Sequence, residues 1–416
     1  MAIDSAHPPV QSLVPGSQTR RVQVYAYAAT AFWGFSLGLL TVTLPFRFLQ
    51  LGIPIFEYGV TLSVYAAGML LTESLWGVLA FRLARPATII GLGSVVGFAT
   101  LLLGFAQTFP AFLLAEVLLG AVGVYLAPLL RWVALSSGGP GAEGRGAGRW
   151  SSVFGLGIAV GVTLGPLVFV IYGFRDVAIT SIGVLAIAVA AAAALPWSLA
   201  ALPTAVRSQR RALRALATRP FLIALVLVLI AYIATTFASN FFQYYSTVLF
   251  GGTVTEAGYV LGGARLLSLV PAFALGTVVD RGGPARSIPP GFALLLIGAL
   301  ATWASHSYDE MAVATLVFAA GTGWLAASVL PFAVEAMPRV HQGTAIGVFG
   351  STEDAGLLIG PLLFGAAWTT YGPTSIFPVA TAVAAVGLVA SLMVFGQNRR
   401  PRRIAASPEA AAGDPD

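Results

Sequence analysis

Twelve apolar runs, each long enough to cross a bilayer, constrain this chain more than any other feature. They fall at 22–46, 57–81, 87–107, 110–135, 150–172 and 177–200, then at 219–249, 256–279, 286–305, 309–337, 344–371 and 374–396. A helix rises 1.5 Å per residue, so about 20 residues cover the roughly 30 Å hydrocarbon core. The runs are long and rich in Ala, Leu and Gly, whereas barrel strands would alternate over about ten residues. With 57% hydrophobic and 9% charged residues, the chain lacks the polar side chains to cover a water-facing surface, and it is too apolar to be disordered. The expected fold is an all-α polytopic membrane protein: twelve transmembrane helices in two pseudo-symmetric six-helix bundles. Residues 1–19 are polar and the first apolar run is a full span, so no cleavable leader is expected.

All 22 basic residues are arginine. With the N-terminus placed in the cytoplasm, nineteen fall in cytoplasmic segments, Arg47 and Arg175 fall outside, and Arg265 stays within a span. Arg131 belongs to the cytoplasmic group in this partition. The positive-inside bias thus predicts cytoplasmic termini and an even number of spans. The predicted organisation is a cytoplasmic tail at 1–20, a first bundle at 21–200, a cytoplasmic linker at 201–219, a second bundle at 220–396 and a disordered tail at 397–416. A plasma membrane, that of a bacterium, is the expected location.

Other function classes are excluded on composition. The net charge of +6 is scattered between apolar runs rather than gathered on one face, so nucleic acid is not an expected partner. There is no cysteine, hence no disulfide, thiolate metal site or Cys nucleophile. A phosphate-binding GxxxxGK[ST] loop is impossible without lysine. The histidines are few and peripheral, so no metal, no cofactor and no enzymatic chemistry are expected.

The chain also repeats itself. Val153-Phe154-Gly155 is followed by Gly161, Gly165 and Pro166; Val348-Phe349-Gly350 is followed at the same spacing by Gly356, Gly360 and Pro361. Glu57, Gly59, Gly77 and Arg82 match Glu256, Gly258, Gly276 and Arg281. Because six helices is an even number, both halves enter from the same side, a parallel repeat about an axis normal to the membrane.

With these residues in view, the chain from about 20 to 397 resembles the major facilitator superfamily, in particular its drug- and metabolite-exporting members. GVLAFRLAR at 77–85 is similar to the family's signature between the second and third helices, and GTVVDRGGPAR at 276–286 repeats it with Asp280-Arg281. GVTLGP at 161–166 is similar to the antiporter motif of the fifth helix, and Leu44-Pro45 with LGIPIFEYGV at 51–60 fits the junction of the first two helices. Two positions depart from the pattern. Phe81 stands where the first signature has Asp, and Glu116 precedes Gly120 where efflux members often carry the Arg linked to proton coupling. The resemblance implies alternating access, with Arg82, Asp280 and Arg281 as a gate.

Charges inside spans are costly and functional by default. Glu73, Glu116, Glu353, Asp354 and Arg265 are therefore the candidates for substrate or proton binding. Neighbouring helical residues sit about 100° apart, which places Glu353 on the face of Gly356 and Gly360 and Asp354 on the face of Gly350 and Pro361. Arg265 opposite either acid would be a static pair. Asn240 and Gln243, with Tyr244, Tyr245 and Trp33, offer an adaptable pocket wall, or an aromatic belt against lipid. Gly161, Gly165, Pro166, Gly356, Gly360 and Pro361 form close-packing faces on helices that would rock during transport. Glu57 and Glu256 are expected to cap helices. The excess of acids favours a monomeric secondary transporter that exports a lipophilic or cationic small molecule in exchange for protons or another coupling ion. The alternatives are an uptake carrier for a small organic anion held by Arg265, and a lipid flippase. A non-transporting receptor is the remaining class.

Overall fold

The computed structural model describes residues 16–82, 85–136, 143–195, 218–274, 284–335 and 342–396. Those residues are helical almost throughout. The first half holds α1 (Gly16–Leu51), α2 (Ile55–Arg82), α3 (Pro86–Phe105), α4 (Phe109–Gly123), α5 (Leu126–Ser136), α6 (Glu143–Tyr172) and α7 (Phe174–Ala193). The second holds α8 (Arg219–Asn240), α9 (Phe242–Val248), α10 (Val254–Ala274), α11 (Pro284–Ala304), α12 (Tyr308–Glu335), α13 (Gln342–Tyr371) and α14 (Ile376–Gly396). Ten helices are long and apolar enough to cross a membrane among the described residues. The tail 397–416 and nearly all of the linker lie outside them, and α1 begins at Gly16, inside the stretch expected to be a tail.

Two apolar runs expected as single helices are broken. Between α4 and α5, Pro128 lacks the N–H that Val124 would need in a continuous helix, and the Val124 carbonyl accepts instead from Ala127 at 3.0 Å. Between α8 and α9, the Tyr58 hydroxyl donates to the Asn240 carbonyl at 3.2 Å. That carbonyl is the one the Tyr244 N–H would use in an unbroken helix, so an inserted side chain marks the bend.

The repeat is visible in the backbone. The four glycines with positive φ are Gly52 (65°), Gly173 (91°), Gly251 (68°) and Gly372 (90°). Gly52 and Gly251 stand at equivalent turns of the two halves, as do Gly173 and Gly372. Each needs a left-handed conformation that a side chain would strain.

Packing repeats too. Within the first half, Gly157, Gly161 and Gly165 of α6 lie against the carbonyls of Ala31, Phe35 and Leu39 on α1. Within the second, Gly356 and Gly360 of α13 lie against Tyr232 and Thr236 on α8. Small residues let backbones approach where lipid supplies no hydrophobic drive for association. The prolines that follow do something different: they cross between halves. Gly59 of α2 faces the Pro361 carbonyl of α13, and Gly258 of α10 faces the Pro166 ring of α6. The halves therefore meet along two seams, α2 with α13 and α6 with α10. The glycine faces hold each half together, and the turn after them joins one half to the other. Leu71, Ile171 and Met393, between 65% and 72% exposed, lie on the outer surface that lipid covers.

Candidate functional site

The α2–α13 seam is sealed at the end where α1 finishes and α2 begins. Ser63 Oγ donates to the Leu358 carbonyl at 2.7 Å. Above it, the Tyr58 ring packs on Phe241 and Tyr244 at 5.9 and 5.2 Å between centroids, Phe241 on Phe364 at 5.8 Å, and Tyr244 on Trp368 at 6.0 Å. These rings come from both halves and form a plug across the seam. Asn240 contributes its backbone carbonyl to this plug. Tyr244 and Tyr245 are fully buried, which rules out the lipid-facing belt for both. Gln243 is also fully buried, and neither polar atom of its amide has a hydrogen-bond partner among the described residues.

About ten residues further along α2, or about 15 Å, the seam carries charge. Glu73 of α2 and Asp354 of α13 lie within hydrogen-bonding reach of each other, and Gly350 leaves room beside the Glu73 carboxylate. Arg131 of α5 approaches Glu73 at 4.0 Å, with side-chain exposures of 37% and 26% for the two. This end of the seam is therefore reachable where the other is shut. Two ionised carboxylates this close repel each other, and a proton shared between them would relieve that repulsion.

Arg131 also lies over the Trp150 ring of α6, 4.6 Å from its centroid. Trp150 stacks on Phe154 at 5.4 Å, and Phe154 meets Trp33 of α1 at 4.8 Å. The two indoles are 7% and 8% exposed, so an aromatic column runs from the arginine into the first half. Such faces attract cations.

The remaining intramembrane charges separate cleanly. Glu353 points to α8, where the Tyr232 hydroxyl is its polar neighbour. Asp354, one residue on, points to α2. Arg265 of α10 sits beside Tyr232 and forms no ion pair among the described residues, so the static pair with Glu353 or Asp354 is absent. Its face of α10 also carries Gly262, against Thr163, and Leu269, against Gly155, which places it in the α6–α10 seam. One seam thus carries carboxylates and the other a guanidinium. Glu116 of α4 is 5% exposed and lies near the phenols of Tyr58 and Tyr65; Tyr65 also lies near Asp354.

Outside the bundle, Glu256 caps α10. Its carboxylate accepts from the Thr253 N–H and hydroxyl at 2.8 Å each, and the Thr253 hydroxyl accepts from its N–H at 3.2 Å. These bonds hold its carboxyl below the ordinary glutamate range. Of the expected gate, Asp280 and Arg281 lie outside the described residues, and Arg82 closes α2.

Sequence reasoning missed Arg131, Trp150 and Tyr232. Arg131 had a visible signal: it lies inside the apolar run 110–135, between Leu130 and Trp132, yet topology alone assigned it to the cytoplasmic side. Among the described residues no group of acids and histidines is arranged to hold a metal ion.

Comparison with known proteins agrees with this architecture. The model of the Major Facilitator Superfamily matches residues 26–301 and again 247–413. An uncharacterised MFS-type transporter of Mycobacterium tuberculosis, Rv1250, is 29% identical over 160 residues, which is 38% of this chain and 26% of that protein. The match therefore spans about a quarter of the length of that relative. The nucleoside transporter NupG superposes with a TM-score of 0.72 at 14% identity, covering 92% of this chain and 99% of that one. The human organic anion transporter MFSD10 superposes with a TM-score of 0.67 at 14% identity, covering 91% and 100%. At that identity the likeness is one of fold. A repeated family match over nearly the whole chain, together with two packed helical halves, shows that this integral membrane protein belongs to the Major Facilitator Superfamily of transporters.

Proposed function

We propose that the protein exports a lipophilic or cationic small molecule in exchange for protons, through alternating access. The observation that carries this reading is the Glu73–Asp354 pair, one carboxylate from each half at the reachable end of the seam. When the halves part, the shared proton has no second acceptor, so proton occupancy and seam closure are tied. The pair also neutralises a cation, and the Trp150–Phe154–Trp33 column beside it supplies flat aromatic faces for the apolar remainder of a substrate. In this reading 21–200 and 220–396 rock about the linker, the termini are cytoplasmic, and the monomer is the working unit in a bacterial plasma membrane. Arg82, Asp280 and Arg281 then bias the cytoplasmic gate. Efflux of a fluorescent cationic dye from inverted vesicles, with and without an imposed proton gradient, tests the proposal. Gradient-dependent flux is expected; flux indifferent to the gradient removes proton exchange.

A second reading has its own support. Arg265 is a guanidinium without an ion pair among the described residues, in the middle of α10. An unpaired charge there suits the carboxylate of a small organic anion. An Arg265→Ala variant that binds anions as well as the parent chain removes this reading.

A further inference from the structure

A groove between α8 and α14 has none of the features of the transport path. Its volume is about 390 Å³, and it is lined by Leu222, Ile223, Val226, Leu227, Ala390 and Val394, with Arg219 as its single charged residue among the described residues. Leu222 and Val226 are 50% and 53% exposed, so the groove opens on the surface that faces lipid. It follows α8 from its first residue for about eight residues, or about 12 Å. That length suits the upper part of one acyl chain.

The end of the groove is built for an anion. Arg219 is exposed and forms no ion pair among the described residues. It is the first residue of α8, a helix that opens without a side-chain cap. The first-turn amides of Arg219 and Phe221 have no helical acceptor, and the helix dipole adds positive potential at the same point. The Arg219 guanidinium and the positive end of the α8 dipole therefore meet where an apolar slot reaches the membrane surface.

We propose that this groove binds one anionic phospholipid, its phosphate at Arg219 and an acyl chain along α8 and α14. The occupant is a lipid rather than a soluble phosphate because six of the seven lining residues are apolar. It is anionic rather than zwitterionic because the site presents positive charge with no acid, among the described residues, to match a choline or amine. The site lies on the second half just after the linker, so a lipid held there touches the half that must move.

The test is native mass spectrometry of the purified full chain, released from micelles containing equal phosphatidylglycerol and phosphatidylcholine. One cationic side chain near a membrane surface corresponds to about a fivefold preference. The parent chain is expected to retain phosphatidylglycerol over phosphatidylcholine by about that factor. Arg219→Gln removes the preference and Arg219→Lys keeps it. Val226→Trp fills the slot and reduces retention of both lipids. Arg20→Gln deletes a charge at the same end of the molecule but away from the groove, and it leaves retention unchanged. The proposal is overturned if Arg219→Gln retains as much phosphatidylglycerol as the parent, or if Arg20→Gln loses as much as Arg219→Gln. Unchanged retention in Val226→Trp, or displacement of the lipid by inorganic phosphate at equal concentration, overturns it as well.

Discussion

Adjacent residues on one helix have different assignments here, and the difference is testable. Glu353 neighbours Tyr232 within its own half, while Asp354 reaches across the seam to Glu73. Asp354→Asn is expected to abolish gradient-driven dye flux while leaving exchange of dye across the membrane in place. Glu353→Gln is expected to retain the gradient dependence. Equal loss in the two variants would contradict the assignment of the proton to the seam pair. Arg131 makes a separate prediction. Its contact with Trp150 is worth about 0.5–1 kcal/mol at a partly exposed site, and Arg131→Gln removes it. A change in tryptophan emission, absent when Trp150 is already Phe, is the signature.

Helices are set by their ends and by the residues between them. At the start of α10 the capping bonds hold the Glu256 carboxyl below its ordinary value. The sign follows from linkage: a lowered folded value favours the folded state once the carboxylate is ionised. That contribution is present above the ordinary glutamate pKa of about 4.3 and is lost as pH falls through the lowered folded value. The melting-temperature difference between the parent chain and Glu256→Gln should therefore be seen near neutral pH and shrink in acid. Between the ends, a side chain at Gly161 would meet the α1 backbone, whereas Gly183 of α7 has open space around it. Gly161→Val is expected to destabilise by about 1–3 kcal/mol through overpacking. Gly183→Ala is expected to stabilise by about 0.5–1 kcal/mol, because glycine loses more freedom on becoming helical. Thermal denaturation of the two variants checks both signs.

At the scale of the whole molecule, transport requires the sealed end of the seam to open. Ser63 and Leu358 hold that end together across the halves. The chain has no cysteine of its own, so a Ser63→Cys/Leu358→Cys pair can be bridged without background reaction. A thiol-bridging reagent is expected to arrest transport, and reduction to restore it. Undiminished flux in the bridged protein would show that the seam does not part. Tyr58→Phe keeps the ring in the plug and removes only the bond to Asn240. It is expected to shift the population toward the state open at that end, read as faster labelling of a cysteine placed at Ser63.

Much of this was legible in the amino-acid order. Apolar run length predicted helices, because crossing hydrocarbon leaves the backbone few alternatives. The two spaced repeats predicted two similar halves, and helical angle alone separated Glu353 from Asp354. Other features depend on contacts between residues far apart in the chain. Arg131 reads as one more loop arginine until α2 brings Glu73 to it and α6 brings Trp150. The breaks at Val124 and Phe241 fall within apolar runs that read as continuous helix; one comes from a proline, the other from a tyrosine of the opposite half. Gly161 and Pro166 look like one motif, yet they face different halves. Periodicity along a chain specifies which residues share a face. Which partner that face meets depends on how the helices pack, and in lipid that choice rests on close steric fit between surfaces rather than on burial of apolar area.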